Sequence, residues 1–175
     1  MIYLRKKNNA ISIFIVAIVT IVAITNCYAF SLWGYTPQSG ITYAPIGFHW
    51  QNYLEGRPQP NDMNHIVALN YKSLVVGTFI DSYQNDLARI YLLAFERNII
   101  NRKKFKMSYT VGLVYGYRGK LAQVSDFQNP ILQDLMKGDI NPWAYLTFKY
   151  HLNRHFALIS MLTVNYLTVG IKLVF

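Results

Sequence analysis

A single cysteine, Cys27, stands in 175 residues. That scarcity excludes an internal disulfide, a cysteine-rich zinc site and a CxxC redox centre. Carboxylates are few as well, 8 Asp and Glu against 17 Lys and Arg. The imbalance invites a nucleic-acid reading, but 53% hydrophobic residues against 14% charged does not suit a charged solution-binding module or a disordered tail. The four histidines, His49, His65, His151 and His155, have no metal-ligand spacing, so neither a metal nor another cofactor is expected. Beyond Thr25 no segment offers ~18 consecutive apolar residues, which excludes a further membrane helix. What is abundant is aromatic: 14 Tyr, 10 Phe and 3 Trp.

The first residues carry Arg5, Lys6 and Lys7, then an apolar run from Ala10 to Thr25, then Asn26-Cys27-Tyr28-Ala29. A basic start, a short apolar stretch and small residues at the −3 and −1 positions form the layout of a secretory signal peptide, with cleavage expected after Ala29. A permanent anchor would need roughly 20 apolar residues, and Asn26 is too bulky and polar to precede a lipidated Cys27. Removing residues 1–29 takes away three basic residues and no acidic one, so the expected exported chain stays cationic and has no thiol.

Downstream the pattern has period two. Leu167, Val169, Ile171, Leu173 and Phe175 share one face, and Thr168, Gly170 and Lys172 the other. Phe105, Met107, Tyr109, Val111, Leu113, Tyr115 and Tyr117 alternate in the same way with Lys106, Ser108, Thr110, Gly112 and Gly116. Such alternation suits strands with lipid on one side and a lumen on the other. Turn residues divide the rest into eight expected strands: Thr42–Tyr53, His65–Tyr71, Leu74–Ser82, Leu87–Arg97, Phe105–Tyr117, Pro142–Leu152, His155–Val164 and Tyr166–Phe175. The expected fold is therefore all-β, an eight-stranded antiparallel up-and-down transmembrane β-barrel over 42–175, behind a signal peptide (1–29) and a short periplasmic lead (30–41). Short connections after strands two, four and six alternate with long ones after strands one and five, as periplasmic turns and outer loops do. The third and fourth strands are apolar on both faces, which points to an apolar lumen, either a packed interior or an acyl-chain pocket. Trp33, Trp50 and Trp143 suit interfacial girdles.

With Phe175 on the periplasmic side, odd-numbered strands run outward, and His49 and Asp81-Ser82 reach the same outer rim. A histidine, a carboxylate and a hydroxyl together can perform acyl transfer. Interface packing by the histidine and ordinary turn chemistry at Asp81-Ser82 are the plainer alternatives. Adjacent strand residues also point to opposite faces, so Asp81 and Ser82 do not both face a lumen while the strand stays regular.

Phe79-Ile80-Asp81-Ser82-Tyr83-Gln84-Asn85 and Pro45-Ile46-Gly47-Phe48-His49-Trp50 resemble two segments of the outer-membrane lipid A palmitoyltransferases. Tyr43, Arg118, Pro142 and the terminal Phe175 add to the likeness, which covers roughly Tyr43 to Phe175. The resemblance implies transfer of a palmitate-like or shorter acyl chain from a phospholipid to lipid A. It implies His49 as general base, Ser82 as the activated or positioning hydroxyl and Asp81 as orienting carboxylate. Tyr43 and Arg118 would bind substrate, and Ala94 would lie near the pocket floor, where the family carries a glycine. Arg57, Arg118, Lys120 and Lys137, in the expected outer loops, would meet lipid A phosphates. The implied partners are a phospholipid donor, lipid A, outer-membrane lipid and the barrel assembly machinery through Phe175; no nucleic acid is expected, and the barrel would be a monomer. This chain departs from the family in its short, broken lead and in having no glycine over Ile90–Phe95. It also lacks, at His151 and His155, the His-x-Ser of the barrel deacylases. A non-enzymatic envelope barrel of structural, adhesive or phage-related role, and a soluble periplasmic lipid-binding β-protein, are the competing classes.

Overall fold

The computed structural model describes residues 34–49, 62–81, 89–117, 137–164 and 166–175. Eight strands follow in chain order: β1 (Gly40–His49), β2 (Ile66–Tyr71), β3 (Leu74–Ile80), β4 (Arg89–Asn101), β5 (Phe105–Tyr115), β6 (Ile140–His151), β7 (Phe156–Leu162) and β8 (Tyr166–Val174). Each pairs antiparallel with its sequence neighbours, and β1 closes against β8, so the sheet is a barrel. The all-β, eight-stranded up-and-down architecture expected from the alternation is the fold observed. Three short turns, after β2, β4 and β6, mark one end; the connections after β1, β3 and β5 leave from the other, called here the long-loop end.

Alternation sets the two faces. Ile41, Leu69, Val76, Val111, Leu113, Leu158, Ile171 and Leu173 point outward and are exposed, while Thr42, Ala68, Val75, Val114, Ala157 and Lys172 point inward and are buried. Eight strands leave an interior only wide enough for side chains or one small ligand. The expected fourth strand ends at Arg97, but β4 runs on to Asn101. A one-residue register shift between Asn98 and Ile100 lets it keep pairing with β5 down to Lys106.

Two local irregularities decide what enters the bore. Between Tyr43 and Ile46, β1 takes three steps while β8 takes two, from Ile171 to Val169. This bulge contains Ala44 and Pro45, and proline has no N–H to give to a ladder. It reverses the parity of β1. Thr42 and Ala44 face inward below it, Gly47 and His49 above it, so an odd-numbered residue that would otherwise point outward enters the lumen. At the end of β5, Gly116 adopts φ +124°, a conformation open to glycine and strained for other residues. Tyr117, expected on the lipid-facing parity of Phe105 and Tyr115, is thereby turned inward and buried.

Trp143 corrects a second expectation. Its parity on β6 matches inward-facing Asn141, Thr147 and Lys149, so its ring is no part of an outer girdle. It stacks on Tyr117 with centroids 6.2 Å apart and meets Phe79 at 6.3 Å. Tyr117 and Phe79 close the triangle at 6.2 Å. Each such pair adds about 0.5–1.5 kcal/mol beyond the area it buries. Trp33 and Trp50 lie outside the described residues, as does the expected signal peptide.

The ladders are not equally long. β1 pairs with β2 only up to Ala44↔Ile66, while it continues along β8 to His49↔Tyr166. β6 pairs with β7 only up to Leu146↔Leu162, while it continues along β5 to Ile140. These two ladders end where β2 begins, at Ile66, and where β7 ends, at Leu162, and the segment before β2 stays beside β1 through the Gly47 N–H bond to the Asp62 carbonyl.

Candidate functional site

His49 ends β1 at the long-loop mouth. Its side chain is only 5% exposed, and its Nδ1 lies 2.8 Å from Oδ1 of Asp62, which is 53% exposed. A carboxylate accepts, so Nδ1 carries the hydrogen, which in an uncharged ring would leave the lone pair on Nε2. The backbone fixes this pair: Gly47 N–H donates to the Asp62 carbonyl at 2.7 Å, bringing the chain back alongside β1. On its other side His49 packs against the ring of Tyr166, centroids 4.4 Å apart. Tyr166 in turn lies over Gly47, where any Cβ would fall inside the tyrosine ring. A glycine two residues before the histidine is thus what lets the aromatic buttress approach.

From Tyr166 the contacts run around the rim. The Tyr166 hydroxyl donates to Asn64 Oδ1 at 2.7 Å, and Asn64 Nδ2 donates to the Ile80 carbonyl at 3.2 Å. Ile80 N–H donates back to the Asn64 carbonyl at 2.7 Å. Asn64 therefore ties the start of β8 to the end of β3. Asp81, directly after β3, keeps the inward parity of Val75 and Phe79 and is fully buried. His49 and Asp81 occupy the same end of the barrel, connected through Tyr166 and Asn64. Ser82 and Arg118 lie outside the described residues.

Below this rim the bore is mostly carbon. A cavity of about 50 Å³ is lined by His49, Asn64 and Tyr166 at its mouth and by Ile66, Ala68, Phe79, Leu92, Tyr117, Trp143, Tyr145 and Met161 further in, with Thr163 and Thr168. Ala94, the residue expected near the pocket floor, is buried in the same core cluster two positions further along β4 than Leu92. Tyr43 is elsewhere. It sits below the bulge on the outward parity, with its Oη 3.0 Å from His65 Nδ1 and its ring stacked on that imidazole.

The short-turn half of the bore has different chemistry. Glu96, buried, accepts from Lys149 Nζ, from Ser108 Oγ at 2.7 Å and from Asn70 Nδ2 at 2.5 Å. Lys172 Nζ donates to the Gln38 carbonyl at 3.0 Å, and Lys106 Nζ to Gln38 Oε1 at 2.6 Å. Gln38 belongs to the segment before β1, which also bridges to β4 through mutual Tyr35 and Asn98 backbone bonds. Arg97 secures it by donating to the Gly34 carbonyl at 2.7 Å and Thr36 Oγ1 at 2.9 Å. The lead thus closes the short-turn mouth, and Phe175 N–H meets it at the Ser39 carbonyl, 3.2 Å away.

Sequence reasoning singled out Asp81 as the carboxylate for His49 and passed over Asp62. The signal for Asp62 is hairpin arithmetic, since a chain returning to β2 must pass the top of β1 just before His65. Asn64 and Tyr166 were missed as well, because nothing in their spacing marks a rim contact between residues 102 positions apart. Comparison with protein-family models, with curated proteins and with solved structures gives no match for this chain.

Proposed function

We propose that the protein is an outer-membrane acyltransferase that moves a fatty acyl chain from a phospholipid to lipid A. The observation that carries this reading is the placement of His49: an imidazole turned by a bulge into the mouth of an apolar bore and held there by a carboxylate. The exposed apolar outer wall supports a lipid setting, since a barrel in hydrocarbon presents carbon outward and satisfies its backbone internally. The apolar lining beneath His49 supports an acyl chain as the buried part of the donor, with its ester near the mouth.

In this mechanism His49 Nε2 takes the proton of the acceptor hydroxyl as that oxygen attacks the ester carbonyl. The new C–O bond forms, the bond to the glycerol oxygen breaks, and the imidazolium returns the proton to the departing lysophospholipid. Asp62 fixes the tautomer and balances the imidazolium charge. Asp81 lies at the same end of the barrel as His49, and Ser82, outside the described residues, would position the ester carbonyl in this mechanism.

Mass spectrometry of lipid A from cells with and without the protein tests the reading. The expected result is an added acyl mass that is reduced about 10²–10⁴-fold by His49→Ala. Lipid A unchanged by the wild-type protein, or equally modified by His49→Ala and by Ser82→Ala, overturns it and leaves a structural barrel.

A further inference from the structure

Charge is distributed by end. The three short turns contain Lys72, then Arg102, Lys103 and Lys104, then Arg154, and no carboxylate. All five side chains are exposed. At the long-loop end the described charged residues are mixed: Asp62, Asp81 and Asp139 with Arg89 and Lys137.

The inward cations of the short-turn half are already engaged, Lys149 by Glu96 and Lys106 and Lys172 by Gln38. The turn cations are exposed, and the contacts two of them make are with neighbouring rings. Lys72 Nζ stands 5.7 Å from the centre of the Tyr71 ring, and Arg154 Nε lies 2.9 Å from His155 Nε2. Among the described residues none of the five is ion-paired with a carboxylate. Just inside the turns the outer wall exposes Tyr71, Phe105, Tyr150 and Phe156. Cations outside, aromatic rings next and aliphatic wall beyond them is the layering of a lipid interface. A purely protein-binding face would have no use for that belt.

We propose that the short-turn end is a collar for anionic phospholipid headgroups in the adjoining bilayer leaflet. A headgroup carrying a phosphodiester and no ammonium neutralises the turn cations, whereas a zwitterionic one brings a further positive charge among them. The inference goes beyond acyl transfer and rests only on the membrane setting proposed above. It concerns the opposite mouth from His49, so it stands or falls separately from the chemistry.

The test inserts the protein into vesicles of phosphatidylcholine alone and of phosphatidylcholine with phosphatidylglycerol. Heat-modifiable migration first reports that the barrel has formed in each. Native mass spectrometry after gentle detergent extraction then reports which lipids remain bound. Preferential retention of phosphatidylglycerol is expected, reduced roughly 10- to 100-fold by R102Q/K103Q/K104Q together and weakened by salt. Arg89→Gln, at the other end, should leave it unchanged. Equal retention of the two lipids, or retention unmoved by the triple substitution, overturns the collar. Tight binding of polyglutamate in detergent, matching that of phosphatidylglycerol, would make the surface a protein-docking face and also overturn it. Failure of the barrel to form in either vesicle removes the membrane premise, and the migration assay distinguishes that failure from the others.

Discussion

Toward the long-loop end the lumen is lined by Phe79, Leu92, Tyr117, Trp143 and Met161 around a cavity, whereas toward the short-turn end Glu96, Lys149, Ser108 and Asn70 fill it with hydrogen bonds. One strand shows the change: the inward residues of β4 are Ile90, Leu92 and Ala94, then Glu96 and Asn98. The contrast teaches why the cavity lined by described residues lies in the upper half. Apolar side chains tolerate a gap at the loss of dispersion contacts. Buried polar groups each require a partner, so a polar layer either closes on itself or fails. The lower half is a stopper, and the upper half is a receptacle above it.

The largest expected effect breaks the stopper. Glu96→Ala leaves the Lys149 ammonium buried without its carboxylate, and removing one member of a buried pair destabilises by about 3–5 kcal/mol. A denaturant midpoint followed by tryptophan fluorescence should fall accordingly. Glu96→Leu with Lys149→Met should recover much of the loss, because apolar replacement removes both charges. If the double variant is no better than the single one, the layer is held by its hydroxyl and amide partners more than by the ion pair.

Next in size, Leu92→Ala enlarges the receptacle. A buried leucine truncated to alanine destabilises by about 2–5 kcal/mol, with the low end expected here because the site already borders a cavity. If the bore measures acyl chains, the added mass on lipid A should shift to a longer chain in this variant. An unchanged chain length would place the ruler elsewhere in the bore.

How much of this was legible beforehand follows from what makes each feature. Strands such as β5 and β8 announce themselves because a wall with carbon outside and small or polar residues inside imposes period two on the sequence. The apolar upper lumen was legible too, in β3 and β4, where both parities are apolar. The inward turn of Tyr117 was not, because one glycine with positive φ breaks parity without changing composition. Trp143 was misassigned because tryptophan suits a lipid interface and a packed bore equally, and only its phase relative to Lys149 decides. Tyr43 was placed with the substrate by likeness alone; the bulge at Ala44-Pro45 puts it and His49 on opposite faces. The polar stopper escaped notice because Glu96, Lys149 and Gln38 come from three distant segments that pattern does not connect.

A third change sharpens the comparison at the mouth. Gly47→Ala places a methyl group where the Tyr166 ring lies, so the ring must move and His49 loses its buttress. Activity should drop at least about tenfold, since displacing a reacting group by even 1 Å has large kinetic effects. The denaturant midpoint should change far less than in Glu96→Ala, because the strain is confined to the rim. Equal losses in activity and stability would mean that the rim and the stopper fold as one unit.

The smallest expected effect separates the ring of Tyr166 from its hydroxyl. Tyr166→Phe keeps the aromatic face 4.4 Å from the His49 ring but removes the donor to Asn64 Oδ1. A hydrogen bond of this kind contributes about 1 kcal/mol net, and the midpoint should fall by about that much. Activity should stay within twofold of wild type, because the imidazole keeps both its buttress and its carboxylate. An activity loss as large as that of Gly47→Ala would shift the weight to the path from Tyr166 through Asn64 to Ile80, beside Asp81. The rim would then work as a hydrogen-bonded ring reaching from β8 to β3, and Asp81 would enter the chemistry through the position of Asn64.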